Sequence, residues 1–159
     1  MRRFFTLLCA ICKKFNSVEY ITGDADDIYM IRYILLRSPL MNIYIHIFLR
    51  SDKDDLHDHP WDFISYLIHG SYMEVTNEKT TMRSNYPEGR YLKSNRLVFR
   101  KATTLHRVGL YHGPYSEENG PMTLCITGPR RRKWGFVKEG KWIHWKKYLG
   151  VDQDRNKTV

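Results

Sequence analysis

What this 159-residue chain has little of narrows it before any motif does. Its three cysteines, Cys9, Cys12 and Cys125, are odd in number and no persuasive secretion signal accompanies them. Reduced thiols and a cytoplasmic setting are therefore expected. The apolar run from Phe4 to Cys12 is far too short to span a bilayer. Met1-Arg2-Arg3 gives it the basic start of a signal peptide, yet Lys13-Lys14-Phe15 follows at once, without a small-residue cleavage pattern. A short amphipathic helix or a first strand packed on the body is expected there. Cys9-Ala10-Ile11-Cys12 has redox spacing but neither a βαβ context nor a second pair for zinc, so both read as buried small hydrophobes. No nucleophile elbow, phosphate loop, dinucleotide fingerprint or kinase set is present. No carboxylate pair suggests glycosidase chemistry, and without an internal repeat or low-complexity linker one domain is expected, spanning 1–159.

Acidic residues are also in deficit: 17 against 26 lysines and arginines, a formal net charge of +9. The excess is uneven. From Arg130 to Val159 there are ten basic and three acidic residues, whereas Ser51-Asp52-Lys53-Asp54-Asp55 is an acidic patch. Two surfaces of opposite character suggest different roles, or solubility combined with an anionic partner.

Aromatic and β-branched residues dominate the apolar runs, which favours strands. Residues Ile28 to Leu36 are ambiguous between helix and strand. Asn42 to Leu49 is the clearest strand, with Ile43, Ile45, Ile47 and Leu49 on one face and Tyr44, His46 and Phe48 on the other. Both faces are mostly apolar, as in a central strand of a two-layer structure. Further strands are expected at Phe63 to Ile68, Tyr72 to Thr76, Arg96 to Arg100, Thr104 to Val108 and Met122 to Thr127. His69-Gly70-Ser71 reads as a turn or bulge, 77–95 as a polar turn-rich stretch with a tight turn at Pro87-Glu88-Gly89, and 111–121 as a loop. Trp134 to Val137 and Lys141 to His144 form a hairpin closed near Glu139-Gly140, and Tyr148 onward frays. Many short strands and little helix mean an all-β sandwich or barrel. Its core runs from about 42 to 145, with N-terminal 1–41 and C-terminal 146–159 extensions.

The chemistry centres on Leu56-His57-Asp58-His59-Pro60-Trp61. In extended chain alternate side chains share a face, so His57 and His59 point one way and Asp58 the other. Two imidazoles so placed reach one metal ion when a third ligand arrives from elsewhere. His106, mid-strand with Leu105 and Val108 as neighbours, is the third candidate. A facial three-nitrogen site suits iron(II), manganese, nickel or zinc, and residue types do not choose among them. His46 competes as a ligand or base; His69, His112 and His144 read as ordinary. Asp62 is a candidate for orienting a ligand imidazole, or simply a solvated strand start.

His57-x-His59, the hydrophobic strand after it, Gly70 and a distal His106 resemble the two-motif pattern of the cupins, small double-stranded β-helix (jelly-roll) barrels that hold a metal inside. The resemblance spans roughly Asn42 to Thr127. More narrowly, His57 to Trp61, with Thr127-Gly128-Pro129-Arg130-Arg131 and Trp134-Gly135-Phe136, is similar to uncharacterised cupin-like proteins of bacteria and phages. The glutamate that cupins often carry four residues after the second histidine is Phe63 here. The segment before the distal histidine reads Lys101-Ala102-Thr103-Thr104-Leu105-His106. The resemblance thus implies a three-histidine site, as in thiol dioxygenases, and pairing into a homodimer through edge strands. The His-x-Asp/Glu motif of 2-oxoglutarate oxygenases is absent, since His59 takes its second position.

Three functional readings follow. The first is a metal-binding cupin-like protein, holding iron(II) through His57, His59 and His106 and oxygenating a small anionic substrate, with Arg130, Arg131 and Trp134 as ligand-binding candidates at the barrel mouth. The second is a non-catalytic binder whose basic face contacts nucleic acid or an acidic partner: basic residues of 130–148 alternate with Trp134, Trp142, Trp145 and Tyr148, as in nucleic-acid grips, or Trp134, Phe136 and Trp142 simply pack the hairpin onto the barrel. The third is an isomerase or epimerase with His57 or His46 as base and Tyr66 as acid.

Overall fold

The computed structural model describes residues 2–22, 28–52, 55–76, 89–110 and 116–151. Helix α1 (Arg2–Lys14) leads into strands β1 (Val18–Thr22), β2 (Ile28–Arg37), β3 (Asn42–Phe48), β4 (Phe63–His69), β5 (Ser71–Thr76), β6 (Gly89–Lys93), β7 (Arg96–Arg100), β8 (His106–Gly109), β9 (Met122–Thr127), β10 (Gly135–Lys138) and β11 (Lys141–His144). One helical turn, α2 (Trp145–Tyr148), follows. A six-stranded antiparallel sheet, in the order β1-β2-β3-β9-β4-β7, faces a three-stranded sheet, β6-β5-β8, and β10-β11 is a separate hairpin. The chain crosses between the two sheets at β4–β5, β6–β7, β7–β8 and β8–β9, and β9 returns between β3 and β4, which is jelly-roll connectivity. The all-β barrel expected from composition is what forms.

Alternation decides where each side chain goes. On β2, Met30 and Arg32 turn into the barrel while Ile31 and Tyr33 turn out; on β3, Tyr44, His46 and Phe48 turn in while Ile45 and Ile47 turn out. The outward set is not exposed, because α1 lies across it. Cys9 and Cys12 on the helix pack with Ile31, Tyr33, Ile45, Ile47, Ile68 and Met122. The two apolar faces of β3 therefore have separate causes: one faces the barrel interior and the other a helix. Both helix thiols are buried and free, and burial pushes Cys9 up to about 12. Tyr33, fully buried, bonds Glu117, which also pairs with Lys13 of α1 at 2.8 Å.

The sheet begins earlier than the Asn42 boundary read from sequence, because β1 and β2 are paired strands of the larger sheet. β2 resolves the helix–strand ambiguity: its β-branched and aromatic residues find an unpaired edge on β3. β6 is a strand inside the stretch read as turn-rich, paired with β5 from Ser71–Lys93 to Val75–Gly89. The Pro87-Glu88 part of the expected turn, and His112, lie outside the described residues. Gly70 is the corner at which the chain leaves one sheet for the other. Its φ is 80°, and a Cβ would stand 2.9 Å from Pro121 Cα, so only glycine passes there. At the tip of the β10-β11 hairpin, Glu139 and Gly140 both have positive φ, which suits a two-residue turn.

Truncating Ile45, fully buried between sheet and helix, should cost about 2–4 kcal/mol in urea unfolding of Ile45→Ala. Since its side chain points away from the barrel interior, metal content of the variant should be unchanged.

Candidate metal centre

The segment bearing His57 and His59 is an extended ribbon threaded between β8 and β10, not a strand of either sheet. His57 N donates to His106 O at 3.1 Å, and His106 N returns to His57 O at 2.9 Å. On the other edge Asp58 N reaches Gly135 O at 3.0 Å and Val137 N reaches Leu56 O at 2.8 Å. His59 N bonds Ala102 O at 3.0 Å. Those bonds set the alternation, so His57 and His59 turn inward and Asp58 turns away. One ring nitrogen from each of His57, His59 and His106 lies within 4.8 Å of the others, and Nε2 of His59 is 2.7 Å from Nε2 of His106. An ion held at about 2.1 Å by each nitrogen needs them about 3.3 Å apart. The observed spread brackets that value.

Three features show that this set fits a divalent metal. First, the tautomer of His106 is set. Its Nδ1 lies 2.9 Å from Glu74 Oε1, and Glu74 is also gripped by Arg100, with Nε at 2.9 Å. Burial raises the Glu74 carboxyl, but the bonds from His106 and Arg100 outweigh it and hold the group below its usual range. An ionised carboxylate only accepts, so Nδ1 donates and Nε2 is the ring nitrogen left to face the other two histidines. Second, His57 Nδ1 is buried without a hydrogen bond; the Asp52 carboxylate stands 3.4 Å away, close enough for attraction but too poorly placed to bond. Third, His57 and His59 are kept neutral. Burial, then the neighbouring His106 ring, pushes His57 down to about 3, and the same causes hold His59 well below the usual value. Neutral imidazole is the ligating form.

The triad lines one end of a barrel cavity of about 340 Å³. Aromatic rings wall it. Phe63 stands edge-on to His59 with centroids 4.9 Å apart, and Trp134 is nearly parallel to His59 and stacks on Trp145 at 5.6 Å. Such a wall excludes water from all but the polar positions.

Of the remaining sequence candidates, Trp134 and His46 line the cavity. His46 is no ligand of the triad: its Nε2 accepts from Arg32 Nε at 3.2 Å, and burial, then the Arg32 charge, holds it well below the ordinary value. That occupied lone pair removes it as a ready base. Tyr66 lies outside the barrel. Ser65 and Leu67 take the inward positions of β4, and the Tyr66 hydroxyl donates to Asn95 Oδ1 at 2.9 Å. Arg130 and Arg131 are exposed and away from the cavity, with Arg131 2.9 Å from Asp62. Asp62 orients no imidazole; its Oδ1 accepts from Ala102 N at 2.7 Å and steadies the segment leading to His106. His69 and His144 do not line the cavity. Sequence reading missed Glu74, Asp52, Arg32 and Arg100. Glu74 and Arg32 carried a signal: each is a charge at an inward position of an alternating strand, two residues from Tyr72 and Met30.

No family model matches the chain, and no curated protein matches it. Solved structures do. A cupin-2 domain protein from Rhodospirillum rubrum superposes with a TM-score of 0.54 at 10% identity, covering 77% of this chain and 75% of its own. An RmlC-like cupin from Shewanella frigidimarina gives 0.50 at 15% identity, covering 72% and 85%. The chain has the cupin fold. A third neighbour is an iron(II) HppE in complex with substrate, with a TM-score of 0.51, 12% identity, and coverage of 69% of this chain and 55% of that one. Metal-using enzymes are thus among the cupins of similar shape, and this cupin fold carries a histidine triad that can hold a metal. No helix among the described residues is long and apolar enough to cross a membrane.

Two outcomes follow. Glu74→Gln should weaken metal binding by about 10- to 100-fold, read by competition with a chromogenic chelator. For metal-free protein, stability depends on pH through the imidazoles. Their folded pKa values lie below 6.5, so the unfolded chain binds more protons between those values and 6.5, and stability falls with pH. Thermal melts should be flat above about pH 6.5, then decline on acidification at up to about 1.4 kcal/mol per pH unit for each imidazole. Bound metal should move that decline to lower pH.

Proposed function

We propose that the protein is a metal-dependent cupin enzyme in which His57, His59 and His106 hold a divalent ion and the barrel cavity holds a small anionic substrate. Iron(II) is the first choice, ahead of manganese, nickel and zinc, and the reaction class is oxygenation. The observation that carries this reading is the convergence of three imidazoles, one of them buried and oriented by a carboxylate–arginine pair, on the wall of an aromatic-lined cavity. The neighbour that binds iron(II) together with substrate supports the choice of metal.

Three protein nitrogens leave coordination positions open, which a catalytic site needs and a closed structural site lacks. A divalent ion bound there supplies Lewis acidity, and iron supplies one-electron chemistry towards dioxygen as well. The chain's own residues do the rest. Glu74 keeps the proton of His106 on Nδ1, the ribbon hydrogen bonds hold the His57 and His59 rings in place, and Phe63, Trp134 and Phe136 keep the reacting space dry.

The other readings lose their support residue by residue. An epimerase needs an acid and a base inside the barrel, whereas Tyr66 is outside, His46 is engaged by Arg32 and His57 belongs to the triad. Part of the basic–aromatic segment is absorbed by the fold: Trp134 and Trp145 stack on each other, Phe136 lies against Tyr148 at 4.0 Å, and two of its cations, Arg132 and Arg131, pair with Asp58 and Asp62.

Metal analysis of untagged protein decides the matter. Protein loaded anaerobically with iron(II) should carry near-stoichiometric metal, which is lost in His57→Ala and in His106→Ala. Failure of the parent protein to retain any divalent ion would sink the proposal.

A further inference from the structure

The larger sheet turns a polar row into the otherwise apolar cavity. Arg32, His46 and Thr123 are register partners across β2, β3 and β9, and all three line the cavity. The guanidinium is held in a fixed plane. Nε donates to His46 Nε2 at 3.2 Å, Nη1 donates to Glu19 Oε2 at 3.2 Å, and the group lies 4.9 Å over the Tyr44 ring. Nη2 has no hydrogen bond among the described residues. Two strands away on the same row, Thr123 is 1% exposed and its hydroxyl is buried without a partner. A buried hydroxyl is normally bonded, so an unmade bond in a cavity wall marks a place where a ligand atom belongs.

Charge points the same way. Arg37 also bonds Glu19, at 2.7 Å, so two cations share one carboxylate. Arg100 is matched by Glu74, and Asp52 stands beside His57. A divalent ion on the three imidazoles would add positive charge within reach of Arg32, whose own charge already acts on His59. The Asp52 carboxylate lies at the triad, beside His57, so the wall at Arg32 is locally electropositive.

Resting on the metal-site reading above, we propose that Arg32 Nη2 and Thr123 Oγ1 form the subsite for a carboxylate of the substrate. His46 acts as a positioning residue that holds the guanidinium through its ring nitrogen. A guanidinium N–H and a hydroxyl on one polar row can serve the two oxygens of a planar carboxylate, whereas a phosphate has a third charged oxygen that this row leaves unserved. A cavity of about 340 Å³ suits a small acid, with its carboxylate on this row and its remaining polar atoms towards the histidines.

Calorimetric titration of cobalt(II)-loaded protein with lactate and pyruvate, their methyl esters and inorganic phosphate tests this. The acids should bind and the esters should not. Arg32→Gln should weaken acid binding by about 10- to 100-fold and Thr123→Val by about 3- to 10-fold, while cobalt affinity and its visible spectrum stay unchanged. Arg32→Lys, which keeps the charge, should retain part of the binding. A merely structural role for Arg32 would lower the melting temperature and leave discrimination between acid and ester intact. Unchanged acid binding in Arg32→Gln overturns the subsite, as do esters binding as well as acids, phosphate binding more tightly than both acids, or no acid binding to the parent protein. The same titration without cobalt separates the two proposals: Arg32-dependent acid binding by a protein that retains no metal leaves the subsite standing and removes the metal reading.

Discussion

The metal-site geometry depends on a carboxylate that points away from it. Asp58, 3% exposed, sits between the two histidines and faces the other side of the ribbon. There it accepts from Gly135 N at 2.8 Å, from Trp142 Nε1 at 3.1 Å and from the Arg132 guanidinium, which also reaches Ala102 O at 3.1 Å. One side chain thereby ties the ribbon to the β10-β11 hairpin and, through Arg132, to the segment that delivers His106. A buried charge is stable only when paired and fully hydrogen-bonded, and Asp58 meets that condition with donors from three directions. Rotating the ribbon by one residue would place Asp58 in the cavity and both histidines against Arg132. The burial of Asp58 therefore selects the register that turns His57 and His59 inward.

The same economy governs the rest of the barrel. Because β3 and β9 lie mid-sheet and α1 covers the outer face, their inward and outward residues answer to different neighbours. Outward positions need apolar bulk for the helix, and Ile45, Ile47 and Met122 provide it. Inward positions are free to carry polar groups provided each is held: His46 by Arg32, Asn42 by Thr127 at 2.9 Å, Glu74 by Arg100 and His106. The helix lets the sheet devote its inner face to a cavity without losing its core.

Much of this was legible in the sequence, and the exceptions have physical causes. Period-two alternation located β3, β4, β7 and β9 and put His57 and His59 on one side, because alternation is a property of extended chain whether or not it belongs to a sheet. The same alternation would have excluded Tyr66, since Ser65 and Leu67 are the small and apolar inward residues of that strand. β6 was hidden because Gly89-Arg90-Tyr91-Leu92-Lys93 is polar on its exposed side and only Leu92 is deeply buried. The basic–aromatic segment misled because a run of charges does not reveal its partners. Arg131 and Arg132 answer Asp62 and Asp58, some seventy residues earlier, and only the folded chain brings them together.

That pairing bears on how the cavity is charged. The acidic patch and the basic C-terminal segment looked like two surfaces with separate tasks, yet the chain around them is tied together across the barrel: Asp58 pairs with Arg132, Asp62 with Arg131, and Asp55 of the patch accepts from the Tyr148 hydroxyl at 3.1 Å. Inside, Glu74 and Arg100 cancel in the same way. After those pairs are set aside, the interior retains the Asp52 carboxylate beside the triad and, on the wall of the larger sheet, a guanidinium that shares its carboxylate with Arg37. In a low-dielectric space charges so separated act strongly on whatever lies between them. Burial before charge holds His57 and His59 unprotonated, and the uneven placing of the remaining charges gives the two ends of the cavity opposite preferences: a cation at the triad and, as proposed above, an anion at Arg32.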